Sequence, residues 1–175
     1  MLHRTFTPFP ILTTERLTLR QLSIKDEQEI FILRSDSNIN KYLDRQTANT
    51  IDDARNFIKK ITENINNNDS LYWAITFSNK HTLIGTICLF SFSDENDFCE
   101  IGYELLTHYQ GNGIMQEALE KVMDYAFNTI KVQKMEALFH RDNQRSINLL
   151  EKCRFKSTHK PDKTDAHLTC YHLTN

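Results

Sequence analysis

The amino-acid sequence predicts an α/β fold of the α+β type, in which a mixed, mostly antiparallel twisted sheet of about seven strands is flanked by about four helices. Three strand-like runs follow one another with short polar turns between them, at Tyr72–Phe77, Leu83–Phe90 and Phe98–Leu106. This succession is typical of an antiparallel meander. Segments with helical spacing of apolar residues precede and follow the meander. The 175 residues suit a single domain, with residues 1–10 as an N-terminal extension.

The part of the chain before the meander predicts one strand and two helices. Leu17–Leu22 alternates apolar and polar residues, as a half-buried strand does. Ser23 is a suitable N-cap for a helix that runs to Arg34. Thr50 is a suitable N-cap for a second helix, whose apolar residues recur at helical spacing over residues 51–65.

The part after the meander predicts two helices and three strands. An amphipathic helix begins near Gly111–Gly113, because apolar residues recur at helical spacing from Met115 to Ala126. The remaining elements are a strand at Met135–His140, a helix at Asn143–Cys153, and strands at Phe155–Thr158 and His167–Leu173.

Composition and charge exclude several classes of protein. The mean hydropathy is −0.52, and no apolar run approaches the roughly 18 residues that a membrane helix needs. The N-terminus shows no secretory signal, and the four cysteines show neither a CxxC pair nor zinc-ligand spacing. The sequence therefore predicts a cytoplasmic protein with no metal site and no membrane partner.

The net charge of −2 is unevenly distributed. Residues 1–130 carry a net charge of −6, whereas residues 131–163 carry +5. The near-neutral total makes nucleic acid an improbable partner. The basic segment either binds a smaller polyanion, such as a phosphorylated cofactor, or is a solvated basic face.

A strand-to-helix junction with two glycines is the most informative segment. It reads YELLTHYQGNGIM from Tyr103 to Met115. Glycine permits positive φ and close approach of a ligand, and the free N–H groups of a helix N-terminus bind anions. The segment therefore indicates a cradle for a diphosphate, although glycines also begin helices for steric reasons alone. It is neither a P-loop nor a dinucleotide fingerprint, which need a Lys-Ser/Thr pair and a third glycine respectively.

A second motif, NQRSINLLEKCRF, follows at residues 143–155. Taken alone, Asn143 is a common N-cap and Ser146 an ordinary residue of the first turn. Together, the two motifs resemble those of the GNAT acetyltransferase superfamily. The opening TERLTLR and the strand EIGY narrow the resemblance to the branch that includes ribosomal-protein N-terminal acetyltransferases. The resemblance covers about residues 11–174.

The resemblance implies a GNAT-like fold, acetyl-CoA as co-substrate, and a primary amine as acceptor, either a protein N-terminus or a small molecule. It also implies that the strand at Tyr103–Leu106 splays from its neighbour and binds the pantetheine arm through its backbone. The amides of the following loop then bind the pyrophosphate, and Tyr42 lies on the acceptor side. The cofactor-binding residues implied in this way are Leu105, Leu106, Gln110, Gly111, Asn112, Gly113, Ile114, Met115 and Asn143.

Two positions depart from the pattern of the superfamily. Met115 stands where glycine or alanine is usual, and Arg154 stands where glycine is usual. The backbone N–H of Met115 can donate a hydrogen bond whatever the side chain is, so methionine at this position is compatible with the cofactor site.

The proposed chemistry needs an acid for the departing thiolate. Many members of the superfamily use a tyrosine on the second-motif helix, but Leu150 occupies that position here. Ser146 is therefore predicted as the proton donor or as the hydrogen-bond partner of the sulfur, with a plain surface serine as the alternative. No cysteine has the setting of an activated nucleophile, so direct attack of the amine in a ternary complex is preferred.

The proposed chemistry also needs a base for the amine. Glu100 and Glu104 are two residues apart on a strand and so face the same side. Gly102 between them is expected to leave room for a substrate or a cofactor. The acidic zone over residues 94–104 contains no basic residue, so it is a candidate for attracting a cationic amine. Alternatively, these acids are solvated, or paired with Arg16 or Arg20.

Two alternatives to an enzyme stay open. The missing tyrosine permits a catalytically degenerate CoA-binding regulatory or interaction module. The basic segment over residues 131–163 permits a nucleic-acid binder, which predicts steeply salt-dependent binding. The sequence decides neither the acceptor nor the oligomeric state, and a homodimer is among the open states.

Overall fold

Eight strands form one sheet in the computed structural model, which describes residues 1–161 and 165–175. The strands are β1 (Leu12–Thr13), β2 (Leu17–Gln21), β3 (Leu71–Phe77), β4 (Gly85–Ser93), β5 (Phe98–Leu105), β6 (Lys134–His140), β7 (Lys156–Pro161) and β8 (Leu168–Thr174). Their order across the sheet is β1-β2-β3-β4-β5-β6-β8-β7. All neighbouring strands are antiparallel except β5 and β6, which run parallel.

Five α-helices accompany the sheet within the described residues. They are α1 (Glu27–Ser35), α2 (Ser37–Asn40), α3 (Ile51–Asn66), α4 (Ile114–Tyr125) and α5 (Gln144–Lys152). A π-helical turn over Ala126–Ile130 extends α4. The predicted fold class is confirmed, with one strand and one helix more than expected. The additional elements, β1 and α2, are too short to give a periodic sequence pattern.

Side-chain caps fix the predicted starts of the first long helices. The Asp53 N–H donates to Thr50 Oγ1 at 3.2 Å, and the Asp53 carboxylate accepts from the Thr50 N–H at 2.9 Å. Ser23 and Asp26 form a second capping box before α1. Such reciprocal caps satisfy backbone donors that the helix itself leaves free, so these starts could be predicted from local sequence.

The helices cover both faces of the sheet. Tyr72 in β3 packs edge-on against Phe57 of α3, with ring centroids 5.6 Å apart. Its neighbour Trp73 points to the opposite face and packs against Tyr125, with centroids 5.9 Å apart. Because side chains alternate along a strand, the sheet has an α3 face and an α4 face, and residues in register with Tyr72 share the α3 face.

The first ten residues pack against the core. Leu2 and Phe6 are buried, and the His3 N–H donates to the Ile130 carbonyl at 2.8 Å. The indole N–H of Trp73 donates to the carbonyl of Pro10 at 2.7 Å. The segment predicted as an N-terminal extension therefore contributes apolar side chains to the core.

Candidate active site

The parallel pairing of β5 with β6 ends after three residues. Phe98–Glu100 is in register with Lys134–Glu136. Beyond this point β5 continues along β4, while β6 continues along β8. The two strands therefore separate after Glu100, and the second half of β5 has a free edge among the described residues. This gap between the strands is called the β5–β6 opening below.

The backbone groups that face the opening can be assigned from the pairing of β5 with β4. The Leu106 N–H donates to the Ile84 carbonyl at 3.0 Å. Since residues of an antiparallel pair alternate between the two edges, Tyr103 and Leu105 direct their backbone groups to the opening. The Leu106 carbonyl accepts from the Tyr109 N–H at 2.9 Å. Leu106 is thus satisfied inside the fold, and the edge groups available to a ligand are those of Tyr103 and the N–H of Leu105, whose carbonyl accepts from the side-chain amide of Gln110.

The loop Gln110–Met115, called the cofactor loop below, has the geometry of an anion cradle. Gly111 and Gly113 have φ of +82° and +72°, a region that disfavours side chains. A Cβ added at Gly111 would have no atom within 4 Å. The described residues offer no hydrogen-bond acceptor to the N–H groups of residues 111–115, which lie at the positive end of α4. These N–H groups suit the pyrophosphate of acetyl-CoA.

Ile114 and Met115 contribute to the cradle through their backbone alone. Their side chains are buried, at 3% and 8% exposure. Met115, the departure from the family pattern, therefore packs into the core while its N–H stays at the loop.

The cofactor loop is held in place by contacts with α5. The side-chain amide of Gln110 donates to the Leu105 carbonyl at 2.9 Å, and its oxygen accepts from the Arg145 guanidinium. The side-chain oxygen of Asn143 accepts from the Ser146 N–H at 3.2 Å. The Gln110 side chain thus braces the loop, and the oxygen of Asn143 caps α5.

A second brace joins the loop to the turn between β1 and β2. The Arg16 guanidinium donates to Glu117 at 2.6 Å and to the Asn112 carbonyl at 3.2 Å. The Glu117 carboxylate also accepts from Thr14 Oγ1. Burial raises the pKa of Glu117, but the hydrogen bonds from Thr14 and Arg16 outweigh it and hold the pKa below the ordinary 4.5. Sequence reasoning missed this brace, because its partners lie about a hundred residues apart in the chain.

A tyrosine hydroxyl lies behind the predicted acid. The Tyr103 hydroxyl is shielded from solvent and has no hydrogen-bond partner of ordinary geometry in the described part of the chain. Burial raises the pKa of Tyr103 to about 12, and an interaction with Ser146 opposes this rise. Leu150 is fully buried, so the helix position usual for an acidic tyrosine is a core position here. Helix α5, which carries the second motif, therefore has Ser146 in its first turn, and the phenol of Tyr103 lies next to it.

Glu104 is ion-paired rather than free. Its carboxylate accepts from Arg45 Nη2 at 2.6 Å, and its side chain is only 7% exposed. Arg45 also donates to Asn40 Oδ1 at 2.7 Å and to the Leu33 carbonyl at 3.2 Å. Neither Arg16 nor Arg20, the cations considered in the sequence, is its partner, since Arg20 binds Asp26. This ion pair disfavours Glu104 as the base, and the carboxylate instead holds Arg45 in position.

The predicted acidic zone does not act as a unit. Asp94 pairs with Arg4, and Asp97 lies 3.6 Å from the N-terminal amine. The prediction of open space at Gly102 is also wrong, because a Cβ there would lie 3.2 Å from the sulfur of Cys88. The glycine accommodates neighbouring side chains of β4, which no local sequence pattern reveals.

Glu100 keeps an available carboxylate. It is the last residue of β5 in register with β6, where it faces Glu136, and it is half-buried. No hydrogen bond or ion pair engages its carboxylate among residues 1–161 and 165–175, whereas Glu136 binds Lys134 at 2.5 Å. Glu100 thus stands at the apex of the opening, on the α3 face.

A segment between α2 and α3, residues 41–50, crosses the α3 face of the opening and is called the roof segment below. Tyr42 packs on His140 at the end of β6, with ring centroids 5.3 Å apart. Three residues later, Arg45 binds Glu104 on β5. The roof segment thus contacts both strands that border the opening.

The cysteines are protonated thiols at neutral pH. Burial raises the pKa of Cys88 and Cys99 to about 12 and that of Cys153 to about 11, whereas a nucleophilic cysteine needs a lowered pKa. The part of the chain that the structure describes holds no cluster of three or more His, Cys, Asp or Glu side chains suited to a metal ion. No helix in it has both the length and the apolar character needed to cross a membrane.

The basic segment over residues 131–163 has no single role. Arg145 contacts the cofactor loop, whereas Lys134 is paired with Glu136. Arg154, which stands where relatives have glycine, has a φ of +67°, so the glycine-type turn is retained. Lys163 lies outside the described residues.

Comparisons with known proteins agree with this geometry. The profile of the acetyltransferase (GNAT) domain matches residues 16–156. An uncharacterised N-acetyltransferase of Bacillus subtilis, YoaA, is 30% identical over 148 residues, which cover 85% of this chain and 84% of the relative.

Solved structures give the same fold. An acetyltransferase of the GNAT family from Bacillus anthracis superposes with a TM-score of 0.82 at 23% identity, covering 94% of this chain and 98% of that one. RimL, a ribosomal L7/L12 α-N-protein acetyltransferase in complex with coenzyme A, superposes with a TM-score of 0.79 at 19% identity, covering 94% and 98%. The chain therefore belongs to the GNAT family and is an acetyl-CoA-dependent N-acetyltransferase.

Proposed function

We propose that this enzyme acetylates the primary amine of a small molecule or a protein N-terminus by direct attack of the amine on the thioester in a ternary complex. The observation that carries the proposal is the β5–β6 opening, which has the cofactor loop at one end and the roof segment across its α3 face. The four free thiols and the raised pKa of the buried cysteines support a direct transfer, and a reducing compartment such as the cytoplasm.

The donor side holds the co-substrate through backbone groups. The N–H groups of residues 111–115 bind the pyrophosphate, and the edge groups of Tyr103 and Leu105 bind the pantetheine arm. Acetyl-CoA supplies the activated acetyl group, and CoA leaves as the free thiol. Charged side chains are not needed at the loop, because helix N-termini and free N–H groups favour an anion by themselves.

Ser146 supplies the proton, or the hydrogen bond, that the departing thiolate needs. Its N–H is fixed by Asn143, which anchors the first turn of α5. The Tyr103 hydroxyl lies near Ser146 and has no hydrogen-bond partner of ordinary geometry among the described residues. A buried hydroxyl in this state is uncommon in folded proteins and often marks a functional site, which supports this role.

Glu100 receives the proton of the amine through a water molecule. Its carboxylate is half-buried and unpaired within the described residues, in contrast to that of Glu104. The neutral amine then attacks the thioester carbonyl and the carbon–sulfur bond breaks. The sulfur takes a proton from Ser146, and the Ser146 oxygen regains one from the nitrogen, which sheds its extra proton as the amide forms.

Release of CoA thiol from acetyl-CoA with a panel of amines tests the function. We expect release that depends on the amine. Tight binding of acetyl-CoA without amine-dependent release from any acceptor would instead support a regulatory CoA-binding module.

The role of Ser146 is tested by the Ser146→Ala variant. We expect kcat to fall by about 100-fold, at the lower end of the effects of proton transfer, with little change in the Kd of acetyl-CoA. Tyr103→Phe should lower kcat in the same direction but less. Ser35→Ala is a matched control, because the Ser35 hydroxyl donates to the Phe31 carbonyl within α1. An unchanged kcat in Ser146→Ala removes its role as acid.

A further inference from the structure

Arg34, near the C-terminus of α1, has donors that the fold does not use. Its guanidinium carbon lies 4.0 Å from the centroid of the Phe57 ring, so the planar group is held flat against an aromatic face. Among the described residues, no hydrogen bond or ion pair engages its side chain, although it is partly buried. A guanidinium offers five N–H donors in a rigid fork that matches a carboxylate or a phosphate.

A cavity of about 190 Å³ lies beside this guanidinium. Its lining includes Arg34, Phe57, Gln46 and Thr47, so it sits between α1, α3 and the roof segment. Asp53 also borders the cavity, but its carboxylate accepts from the backbone N–H groups of Asn49 and Thr50 at 2.9 Å each. The volume is below that of sites for drug-sized ligands and suits a small charged group.

The neighbouring charges leave an unbalanced cation. Arg45 is already bound to Glu104 at 2.6 Å. Burial, and the like charge of Arg45, lower the pKa of Arg34. The charge of Glu104 opposes this shift, but its carboxylate is engaged by Arg45 at one oxygen and by Thr86 at the other. A partly desolvated cation of this kind is stabilised by an added anion.

The position of the cation relates it to the opening. Glu104 and Arg45 link the unpaired half of β5 to the roof segment, and Arg34 lies behind that link on the same face of the sheet. The cavity at Arg34 and the opening therefore both border the roof segment on the α3 face.

Resting on the proposed function, we propose that Arg34 binds an anionic group of the acceptor, so that the substrate class is a small amine that carries a carboxylate. The carboxylate replaces the missing partner of the guanidinium, and stacking on Phe57 keeps the guanidinium in the orientation that a bidentate contact needs. The amine then extends past Arg45 toward Glu100.

Paired acceptors test this inference. CoA-thiol release is measured with a panel of L-amino acids and ω-amino acids, with the matching amides, which lack the negative charge, and with spermidine. We expect KM to be about 10- to 100-fold lower for the carboxylates than for the amides, as for a hydrogen bond to a charged group. Arg34→Gln should abolish that difference and leave the KM of acetyl-CoA unchanged.

Arg55→Gln is the matched control, because it removes the same charge from an arginine that already has Glu27 at 2.6 Å and Asp52 at 2.8 Å. Arg34→Lys should keep only part of the preference, since an ammonium lacks the planar fork. Equal KM values for carboxylates and amides, a preference for spermidine, or an unchanged preference in Arg34→Gln would each overturn the inference.

A binding measurement separates this inference from the proposed function. Calorimetry on the protein with CoA compares N-acetyl amino acids with their amides. Binding of the carboxylates to the wild type but not to Arg34→Gln supports the anion site even if no amine is turned over, which alone would contradict the proposed function. Equal binding of both ligand sets, or of neither, overturns the anion site.

Discussion

The two sides of the β5–β6 opening are built in different ways. The donor side is one continuous stretch of chain, in which a strand edge, two glycines with positive φ and a helix N-terminus follow one another within residues 103–115. The proposed acceptor side is assembled from α1, the roof segment, α3 and β5, which meet through Arg45 and Glu104. The groups proposed to bind the co-substrate thus belong to one local stretch, although distant residues brace it, whereas the proposed acceptor side is itself assembled from distant segments.

The largest expected effect concerns the link on the acceptor side. Glu104→Gln removes the charge that Arg45 binds and leaves a largely buried cation without its partner. The free energy of unfolding should fall by about 3 kcal/mol, the lower end for a broken buried pair, because Arg45 is partly exposed. Urea unfolding followed by circular dichroism measures the loss.

A more exposed pair of the same length provides the control for this variant. Glu27→Gln breaks the 2.6 Å contact with Arg55, whose side chain is 43% exposed, and should cost less stability than Glu104→Gln, because solvent screens an exposed pair. If both variants lose the same small amount, Glu104 does not anchor the roof segment.

The next effect concerns the donor side. Gly111→Val places a branched side chain at a φ of +82°, which costs about 1–2 kcal/mol or distorts the loop. The Kd of acetyl-CoA should rise by about 5- to 30-fold, as measured by calorimetry.

Two variants show whether this effect belongs to the loop. Gly111→Asn should lose less affinity, because asparagine tolerates positive φ better than other residues with side chains. Lys131→Val adds β-branching at a φ of +71°, outside the cofactor loop, and should leave the Kd unchanged. An equal loss in Lys131→Val would mean that general destabilisation, and not loop geometry, weakens binding.

The smallest effect concerns the brace between Glu117 and Arg16. The folded-state pKa of Glu117 is lowered, so its stabilising contribution is present above the unfolded-state value of about 4.5 and is lost as the pH falls through the folded-state pKa. Glu117→Gln should therefore cost about 1 kcal/mol at pH 7, because the pair is partly exposed. The difference from the wild type should vanish in acid, in unfolding measured from pH 7 to pH 3.

Glu120→Gln is the control on the same helix, since Glu120 is exposed and, among residues 1–161 and 165–175, accepts a hydrogen bond only from Gln116 at 3.0 Å. A Glu117→Gln difference that persists unchanged at low pH would show that the charge of Glu117 is not the source of the effect.

Sequence reasoning predicted the elements whose signals are local. The Thr50 N-cap and the two-glycine turn before α4 each depend on residues within five positions of one another. Asn143, which the resemblance made a cofactor contact, is the N-cap of α5, the plain alternative that the sequence also offered. Alternation and helical spacing likewise predicted the meander and the long helices, because burial of one face imposes those periods.

The remainder of the site depends on contacts that no local pattern contains. Arg45 meets Glu104 across 59 positions of the chain, and Cys88 fills the space over Gly102 only because β4 and β5 are in that register. Sequence alone therefore identified Glu104 as a candidate base, whereas in the structure its carboxylate forms an ion pair with Arg45. The base role of Glu100, the acid role of Ser146 and the cofactor contacts stay predictions.

The central claim is that an amine and acetyl-CoA react where the two sides of the opening meet. Amine-dependent release of CoA thiol, measured on the purified full chain with and without each amine of the panel, tests this claim most directly. The predicted result is release that needs both substrates and is slower in Gly111→Val at an acetyl-CoA concentration that saturates only the wild type. Release at the same rate without any amine, or in Gly111→Val under that condition, would contradict it.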